Sequence, residues 1–386
     1  MEARALSHPR RFERIDQLRG LAALAVVVCH LSVSAYKGAP NAGAPPFPWL
    51  GLVLGFGYLG VPLFFVVSGF CIHLPQAHAR VAGRGAAPDW GRFFRRRLWR
   101  LYPPYLSSLA LGAALLLLST GQVAVQGPAI VAQALLLHTF HPATFDGLNP
   151  PAWTLALEAQ LYLAYPVVFW LVARLRPWRA LFLVLGITML YRGILLSDPF
   201  PARFGGVAWE FFLARWFEWT LGALVAEWAA GGLELPRALR SPWLAAAALA
   251  LAVGIEWHTW RFGVYALKEP LDGLAFALVL TAALDRERAE GAAARASRLA
   301  RWLSGVGACS YSLYLVHRPI QLAFEPLARS AAASPFVLEH GIPSSLLILA
   351  ASTPVVLVAA RALYRVCEAP CIRRSQRVGR AGAIRA

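Results

Sequence analysis

Apolar segments long enough, or nearly long enough, to cross a bilayer recur along the whole chain, and short arginine-bearing segments separate them. Hydrophobic residues make up 58% of the 386 residues, charged residues only 15%, and the mean hydropathy is +0.53. A soluble domain of ordinary composition carries far more charge than this. The composition therefore predicts an all-α polytopic membrane protein.

The apolar runs place about ten transmembrane helices, several of them shorter than the ~20 residues that a straight span requires. Their approximate bounds are 15–35, 50–74, 103–119, 155–173, 180–196, 211–230, 243–256, 271–284, 303–324 and 343–366. They form a single membrane domain over residues 1–386, and we expect no soluble C-terminal domain. The apolar stretch 129–140 is too short to span and is predicted as an interfacial or re-entrant helix.

Basic residues predict the orientation of the spans. The net charge of +17 comes almost entirely from arginine. With the N-terminus in the cytoplasm, 27 of the 37 Lys and Arg residues fall in cytoplasmic segments or at the cytoplasmic end of a span, and six fall in outer loops or at the outer end of a span. This bias is the positive-inside pattern of membrane proteins. We therefore predict that both termini are cytoplasmic, and we expect the lipid bilayer rather than a nucleic acid as the partner.

The first span carries ionisable groups at shallow and deep positions. Arg19 and His30 are about 16 Å apart along a helix axis, so His30 lies deep in the bilayer. Buried ionisable groups are costly and mark function by default, and histidine moves protons near neutral pH. Arg14, Asp16 and Arg19 also have structural interpretations as an anchor, a helix cap and a snorkelling side chain. Asp16 lies more than three turns from His30, which suits pairing with a basic residue better than orienting the histidine. Glu158 or a side chain of the ninth span fits that orienting role better.

Small and basic residues mark the second and third spans. Ser68 precedes a glycine in the second span, where small side chains let a helix or a ligand approach closely. The arginine-rich run at 92–103 is either a topology determinant that contacts anionic lipid or a clamp for the phosphates of a cytoplasmic donor. Arg97 and Arg100 are three residues apart and share a helix face, so both are candidates for binding that donor.

The fourth and sixth predicted spans contain carboxylate residues. Glu158 and Tyr162 are four residues apart on one helix face, just below the outer interface. Glu158 either complements the helix dipole or orients a sugar hydroxyl or a buried base. Arg215 and Glu218 are three residues apart, and a structural ion pair is the favoured interpretation for them.

The ninth span ends in SYSLYLVHRP, 310–319, which holds several polar groups near mid-membrane. Ser310, Tyr314 and His317 share a helical stripe, and Arg318 follows. Pro319 frees a backbone carbonyl that protein or water must satisfy. No set of Cys and His residues completes a metal site, and we expect none.

Six segments, in their order and spacing, resemble the acyltransferase-3 family of integral-membrane acyltransferases over essentially the whole chain. The segments are RIDQLRGLAALAVVVCH, FFVVSGF, RRRLWRLYPPY, WTLALEAQLY, RWFEWTLGALVAE and SYSLYLVHRP. The resemblance implies transfer of an acyl group, most often acetyl, from cytoplasmic acyl-coenzyme A to a hydroxyl, commonly of a carbohydrate. It matches the family histidine to His30 and the family arginine to Arg19. The glutamate motif matches Glu158, and the basic motif matches Arg97 and Arg100.

Residues and resemblance together give one mechanistic hypothesis. Acyl-CoA is a donor substrate rather than a permanently bound cofactor, and it enters past Ser68 with its phosphates on the arginines. His30 either takes the proton of the acceptor hydroxyl or accepts the acyl group first, and the sequence leaves both routes open. The candidate catalytic residues are His30, Glu158 and Asp16. The candidates for binding the donor are Arg19, Ser68, Arg97 and Arg100. The candidate supporting residues are Arg14, Tyr162, Arg215, Ser310, Tyr314, His317 and Arg318.

Two other classes of function compete with this hypothesis. A proton-coupled transporter of a sugar or drug would use the same buried charges as a relay, although no inverted repeat is visible. A structural membrane protein would not need so many buried ionisable groups. For the enzyme, the expected acceptor is a surface polysaccharide, a lipid-linked glycan or a glycosylated small molecule. The usage of Ala and Arg predicts a bacterial cytoplasmic (inner) membrane, and no sequence feature specifies an oligomer.

Overall fold

The computed structural model describes residues 12–37, 54–84, 87–123, 125–197, 205–262, 266–291, 297–332 and 344–380. Within these ranges the chain forms helices joined by short connections, and it forms no β-strand. The predicted all-α class is therefore confirmed for the described part of the chain.

The helices follow the predicted spans in order. The first seven are α1 (Glu13–Lys37), α2 (Gly60–Val81), α3 (Trp90–Thr120), α4 (Gly127–Ala134), α5 (Pro142–Phe145), α6 (Trp153–Leu175) and α7 (Pro177–Leu196). The next seven are α8 (Phe212–Ala229), α9 (Pro242–Phe262), α10 (Lys268–Glu290), α11 (Arg298–Ala308), α12 (Ser310–Ala332), α13 (Ser344–Leu363) and α14 (Ala369–Arg380). A π-helical turn, Tyr364–Glu368, joins the last two.

Five helical segments of the described chain are long and apolar enough to cross a membrane. They are Phe56–Val81, Trp90–Thr120, Pro150–Leu175, Pro177–Leu196 and Leu347–Val378. Other long helices carry ionisable groups, which in α8 lie inside the protein: Arg215 is 8% exposed and Glu218 is 1% exposed. The predicted second and tenth spans begin at 50 and 343, which lie outside the described residues.

The third and ninth predicted spans need correction. α3 begins at Trp90 rather than at 103, because the side chain of Asp89 accepts a hydrogen bond from the Arg92 backbone N–H at 2.9 Å and caps the helix. The arginine-rich run is therefore helical and continuous with the third span. The predicted ninth span, 303–324, is two helices that meet at Cys309.

A distant carboxylate explains the break at Cys309. Glu368 accepts hydrogen bonds from the backbone N–H of Ser312 at 3.1 Å and from its hydroxyl at 2.5 Å. These donors lie in the first turn of α12, where backbone N–H groups have no partner within the helix. Because Glu368 is 56 residues from Ser312 in sequence, the local pattern gives no sign of this cap.

The predicted interfacial helix over 129–140 is also shorter in the structure. α4 ends at Ala134, and a 3₁₀ turn follows at His138–Phe140. Leu136 between them has a φ of 59°, a left-handed conformation that ends a helix and is unusual for a residue with a large side chain. The segment folds as two short pieces on the bundle.

α1 lies between two groups of packed apolar side chains. Its residues Ile15, Leu18 and Ala22 belong to a core shared with α2, α6, α7, α8 and α10. Further along, Val27 and Leu31 belong to a second core shared with α3, α12 and α13. Arg19 and His30 therefore reach the interface between the two groups of helices.

α2 and α8 approach each other closely through two glycines. A Cβ atom at Gly69 would overlap the backbone oxygen of Trp219, and a Cβ at Gly222 would overlap that of Val66. Small residues of this kind let helix backbones meet in membrane proteins. This contact fixes Ser68, which precedes Gly69, beside the α8 residue Trp219.

The carbonyl freed by Pro319 has a defined partner. A proline at this position leaves the carbonyl of Leu315, four residues earlier, without its helical donor. Asn149, just before α6, donates a hydrogen bond from its side-chain nitrogen to this oxygen at 2.9 Å. Protein rather than lipid therefore satisfies the freed carbonyl, as the sequence requires of a proline inside a buried helix.

Candidate active site

One cavity of about 110 Å³ opens between α1, α2, α3, α6 and α12. Eight of the candidate residues from the sequence line it: Arg19, Ser68, Arg97, Arg100, Glu158, Tyr162, Ser310 and Tyr314. Its remaining walls are mostly apolar, with Phe64, Phe65 and Ile72 of α2 among them. Residues distant in sequence thus converge on a small, mostly apolar space with a few polar groups, the usual character of a ligand site.

Glu158 is the centre of a hydrogen-bond cluster in this cavity. The hydroxyl of Ser68 donates to Glu158 Oε1 at 2.8 Å, and the Tyr162 hydroxyl donates to the same oxygen. Ser68 Oγ in turn accepts from the indole N–H of Trp219 at 3.4 Å. Three helices therefore hold one carboxylate in a fixed orientation at the cavity wall.

Three guanidinium groups share the cavity with this single carboxylate. Arg97 lies over the rings of Phe93 and Tyr162, with its Cζ 5.5 Å and 5.8 Å from the ring centroids. Its buried Nε has no hydrogen-bond partner within the described residues. Because Arg19 and Arg100 line the same space, the cavity has an excess of positive charge and favours an anionic ligand.

His30 and His317 form a pair whose tautomers follow from their partners. His30 Nδ1 lies 2.9 Å from the Val26 carbonyl oxygen, and His317 Nδ1 lies 2.6 Å from that of Tyr314. A carbonyl oxygen only accepts, so both Nδ1 atoms carry the proton. His317 Nε2 then presents a lone pair to His30 Nδ1, at 3.4 Å. The neutral His30 is left with its lone pair on Nε2, the form that accepts a proton.

The histidine pair adjoins the cavity without lining it. The ring of Tyr314, a lining residue, lies 5.4 Å from the His317 ring and 5.9 Å from the Phe64 ring, between centroids. The Tyr314 hydroxyl donates to the Pro151 carbonyl at 2.9 Å. The structure thus brings His30 together with His317 rather than with Glu158, and Tyr314 stands between the two groups.

The candidate residues near the start of α1 lie away from the cavity. Arg14 pairs with Glu290 at 2.6 Å. The backbone N–H groups of Glu13 and Arg14 donate to the Glu287 carboxylate at 2.9 Å and 3.1 Å, so Glu287 rather than Asp16 caps the helix. Asp16 lies inside the first turns of α1, about 21 Å along the axis from His30.

The remaining candidates, Arg215 and Arg318, make ion pairs. Arg318 pairs with Glu325 at 3.2 Å. Arg215 lies 3.2 Å from Glu218, the pair expected from their spacing, and 3.6 Å from Glu269 on α10. The second contact joins α8 to a wider ionic cluster that the sequence spacing did not reveal.

The sequence singled out the buried polar group of Ser310 but missed that of His73. Ser310, at the start of α12, has a fully buried hydroxyl without a partner in the described structure, at the cavity wall. His73 contacts Glu227 at 2.8 Å and the Tyr165 hydroxyl at 3.1 Å, and it does not line the cavity. Nothing in the local sequence of His73 signals a partner 154 residues away.

Comparison with known proteins finds one matching family and several similar proteins. A family described as an acyltransferase domain matches residues 12–364. The chain is 25% identical to acyltransferase MdmB of Streptomyces mycarofaciens over 95% of this chain and 93% of that protein. It is 31% identical to protein 2 in the picA locus of Rhizobium radiobacter, over 41% of this chain and 83% of that protein.

A longer relative matches over part of its length. The O-acetyltransferase OatA of Staphylococcus aureus is 25% identical to this chain over 50% of the chain, which corresponds to 30% of OatA. No solved structure matches the chain. The matched region of the domain family includes the cavity and the histidine pair.

Proposed function

Because the chain belongs to the acyltransferase-3 family, we propose that it transfers an acetyl-sized acyl group from acyl-CoA to a hydroxyl of a carbohydrate. Membership of the family supports membrane O-acyltransferase activity, and OatA is by name an O-acetyltransferase. The observation that carries the proposal is one cavity that joins three guanidinium groups to the Ser68–Glu158–Tyr162 cluster. Such a cavity suits a donor with a phosphate-rich end and an apolar, reactive end.

The donor binds along α3. Arg97 and Arg100 hold phosphates of the coenzyme, since guanidinium groups bind phosphate in a bidentate manner and the Nε of Arg97 has no hydrogen-bond partner among the described residues. The pantetheine arm follows the apolar wall of α2 past Ser68. A volume of about 110 Å³ leaves room for a short acyl group rather than a long chain.

His30 provides the base for transfer. In the direct route, His30 Nε2 takes the proton of the acceptor hydroxyl while its oxygen attacks the thioester carbonyl. The C–S bond breaks, the new ester is released, and the CoA thiolate takes the proton from His30. His317 holds His30 in the required tautomer through the 3.4 Å contact. In the alternative route, His30 Nε2 attacks the thioester carbonyl first, the C–S bond breaks, and CoA leaves as the thiol with the proton lost by the acyl-imidazolium, which gives an acyl-histidine intermediate. The acceptor hydroxyl then attacks this acyl group, the bond between Nε2 and the acyl group breaks, and the hydroxyl proton returns to the imidazole.

The acceptor arrives from the opposite side to the donor and is a carbohydrate hydroxyl. The carboxylate of Glu158 orients it, because this oxygen already accepts two hydroxyl hydrogen bonds at the cavity wall. The route from the cavity to His30 passes Tyr314, whose ring contacts His317. A surface polysaccharide, a lipid-linked glycan or a glycosylated small molecule meets these requirements.

The membrane arrangement that accommodates this reaction has ten spans with both termini in the cytoplasm. The five helical segments of sufficient apolarity support it, as does the concentration of arginine in alternate loops. Burial of Arg215 and Glu218 within the protein lets α8 cross as well. The proposed location is the cytoplasmic (inner) membrane of a bacterium.

An acyl-CoA assay on the detergent-purified protein tests the function. The protein is incubated with acetyl-CoA labelled in the acetyl group, with and without a crude glycan extract, as wild type and as His30→Ala. We expect release of free CoA and label on the glycan, both lost in the variant. Label retained on the wild-type protein alone identifies the acyl-enzyme route.

His78→Ala is the matched control, because His78 lies on α2 with an exposed side chain and outside the cavity. It should retain wild-type activity. Absence of acetyl-CoA binding and of turnover in the folded wild type, together with sugar uptake into proteoliposomes without acyl-CoA, would replace the enzyme by a transporter.

A further inference from the structure

The last helix, α14, packs on the arginine-bearing start of α3. The hydroxyl of Ser375 donates to the backbone carbonyl of Arg96 at 3.0 Å, and the guanidinium of Arg374 lies 3.9 Å from the ring centroid of Trp99. A shallow groove on α14 is lined by Pro370, Arg373, Arg374, Arg377 and Val378. The groove is not part of the cavity or of the histidine pair.

The groove belongs to a surface of unpaired arginines. Arg373, Arg374 and Arg377 are exposed on α14, and Arg95 and Arg96 are exposed on α3. Within the described residues none of the five has a carboxylate within 4 Å, unlike Arg80 and Arg318 elsewhere in the chain. Like charges on packed helices repel one another, so a bound polyanion would stabilise this surface.

The groove and the cavity lie on adjacent faces of the same helix. Arg97 and Arg100 line the cavity, and Arg96 and Trp99, the residues just before them, contact α14. Positions 96 to 100 span about 6 Å of helix, one turn. A ligand held by Arg97 and Arg100 would therefore lie within about one helix turn of the α3 residues that contact α14.

The orientation of α14 favours a soluble anion over a bilayer surface. An interfacial helix needs its apolar face in the lipid. In α14 the side chain of Ser375 is buried against α3, and its neighbours Cys371 and Ile372 are partly buried. The face that would enter lipid thus packs on protein, while the arginines face outward.

We propose that Arg373, Arg374 and Arg377 form a second phosphate subsite, which binds the 3′-phosphate of the adenosine end of acyl-CoA. This inference rests on the proposed donor. A 3′-phosphate adds a charge of about −2 to the diphosphate, which requires guanidinium groups beyond those of the cavity. The subsite distinguishes CoA from donors that lack this phosphate, such as dephospho-CoA thioesters, and leaves the acyl transfer step unchanged.

The test compares acetyl-CoA with acetyl-dephospho-CoA, using the full chain in nanodiscs of zwitterionic lipid. For the wild type we expect a KM at least about tenfold lower for acetyl-CoA, at similar kcat. In R373A/R377A the two KM values should converge to within about twofold, through a rise in KM for acetyl-CoA alone. The double variant R179A/R237A removes two exposed arginines elsewhere and should keep the wild-type ratio.

A second measurement does not depend on turnover. Adenosine 3′,5′-diphosphate should compete with acetyl-CoA binding to the wild type more strongly than ADP does, and R373A/R377A should remove this preference. Thermal unfolding of both double variants in the same nanodiscs shows whether they are folded.

The outcomes separate the two proposals. Turnover of both donors with equal KM by the wild type, or an unchanged KM ratio in R373A/R377A, overturns the phosphate subsite and leaves the acyltransferase proposal standing. If R373A/R377A instead alters activity only when phosphatidylglycerol is added to the nanodiscs, the arginines bind lipid headgroups and the subsite is again wrong. Failure of the folded wild type to bind or use either donor overturns both proposals.

Discussion

At the scale of single residues, the site divides into a cavity side and a histidine side. Glu158 accepts hydrogen bonds from Ser68 and Tyr162 on the cavity side, and His30 meets His317 on the other. Tyr314 contacts both sides, through the cavity and through the His317 ring. Each side is held by side chains from more than one helix, which fixes its geometry before substrates arrive.

Tyr162→Phe removes one of the two donors to Glu158 and should lower kcat/KM by about 10- to 100-fold, or ~1.4–2.7 kcal/mol. The carboxylate keeps Ser68 as a partner but is no longer fixed at the cavity wall. Steady-state kinetics with acetyl-CoA measures the effect. Tyr165→Phe is the control, since this hydroxyl contacts His73 and lies outside the cavity. An equal loss of activity in the two variants would contradict a role for Glu158 in the reaction.

Sequence reasoning found the residues of the site better than it found their partners. Arg19, Ser68, Arg97, Arg100, Glu158 and Tyr162 could be singled out because ionisable or hydroxyl groups in apolar segments are unusual. The sequence narrowed the partner of His30 to Glu158 or a side chain of the ninth span, but it could not specify His317, which is 287 residues away. The catalytic role of Asp16 stays a prediction, and its distance from His30 gives it no support.

At the scale of helices, periodic apolar segments indicated where helices lie, and distant caps decided where they end. The arginine-rich run became part of α3 because Asp89 caps the helix, a local signal present in the sequence. The break before α12 depends on Glu368 and was invisible locally. Boundaries set by contacts between helices are therefore the part of the fold that a single sequence does not specify.

Gly69→Ala should destabilise the contact between α2 and α8. The new methyl group would overlap the Trp219 carbonyl, and relief of the overlap requires two packed helices to separate, at a cost of about 1–3 kcal/mol. Gly193→Ala in α7 is the control, because a Cβ there meets no atom within 4 Å. Thermal unfolding in detergent should show a lower midpoint for the first variant only. Similar midpoints for both would contradict the close packing of α2 on α8.

The hydrogen bond from Asn149 to the Leu315 carbonyl can be isolated with a double-mutant cycle. Asn149→Ala leaves this buried oxygen without a donor and should cost about 1–3 kcal/mol of unfolding free energy. Pro319→Ala restores a backbone N–H for the same oxygen. In the Pro319→Ala variant, Asn149→Ala should therefore lower the free energy of unfolding by at least ~1 kcal/mol less than it does in the wild type. Equal costs in the two backgrounds, measured by denaturant unfolding, would show that Asn149 acts through its other contacts.

At the scale of the whole molecule, the charge distribution predicts an orientation that cysteine labelling can test. In a background without the five native cysteines, Arg84→Cys and Asp146→Cys place single thiols at exposed positions between predicted spans. A membrane-impermeant maleimide added to intact cells should label position 146 and leave position 84 unlabelled until the membrane is opened. The opposite pattern would invert the proposed topology and move the arginine-rich start of α3 to the outer side.

The position of α1 between two groups of helices has a consequence for synthesis. This helix leaves the ribosome before the other described helices, yet its partners Glu287 and His317 are made hundreds of residues later. α1 must therefore wait in the membrane or its insertion machinery until α10, α11 and α12 have followed. A nascent chain interrupted before α12 holds the arginines and Glu158 without a complete histidine pair. On the proposed function, a nascent chain therefore acquires the acyl-transfer chemistry only after α12 has been made.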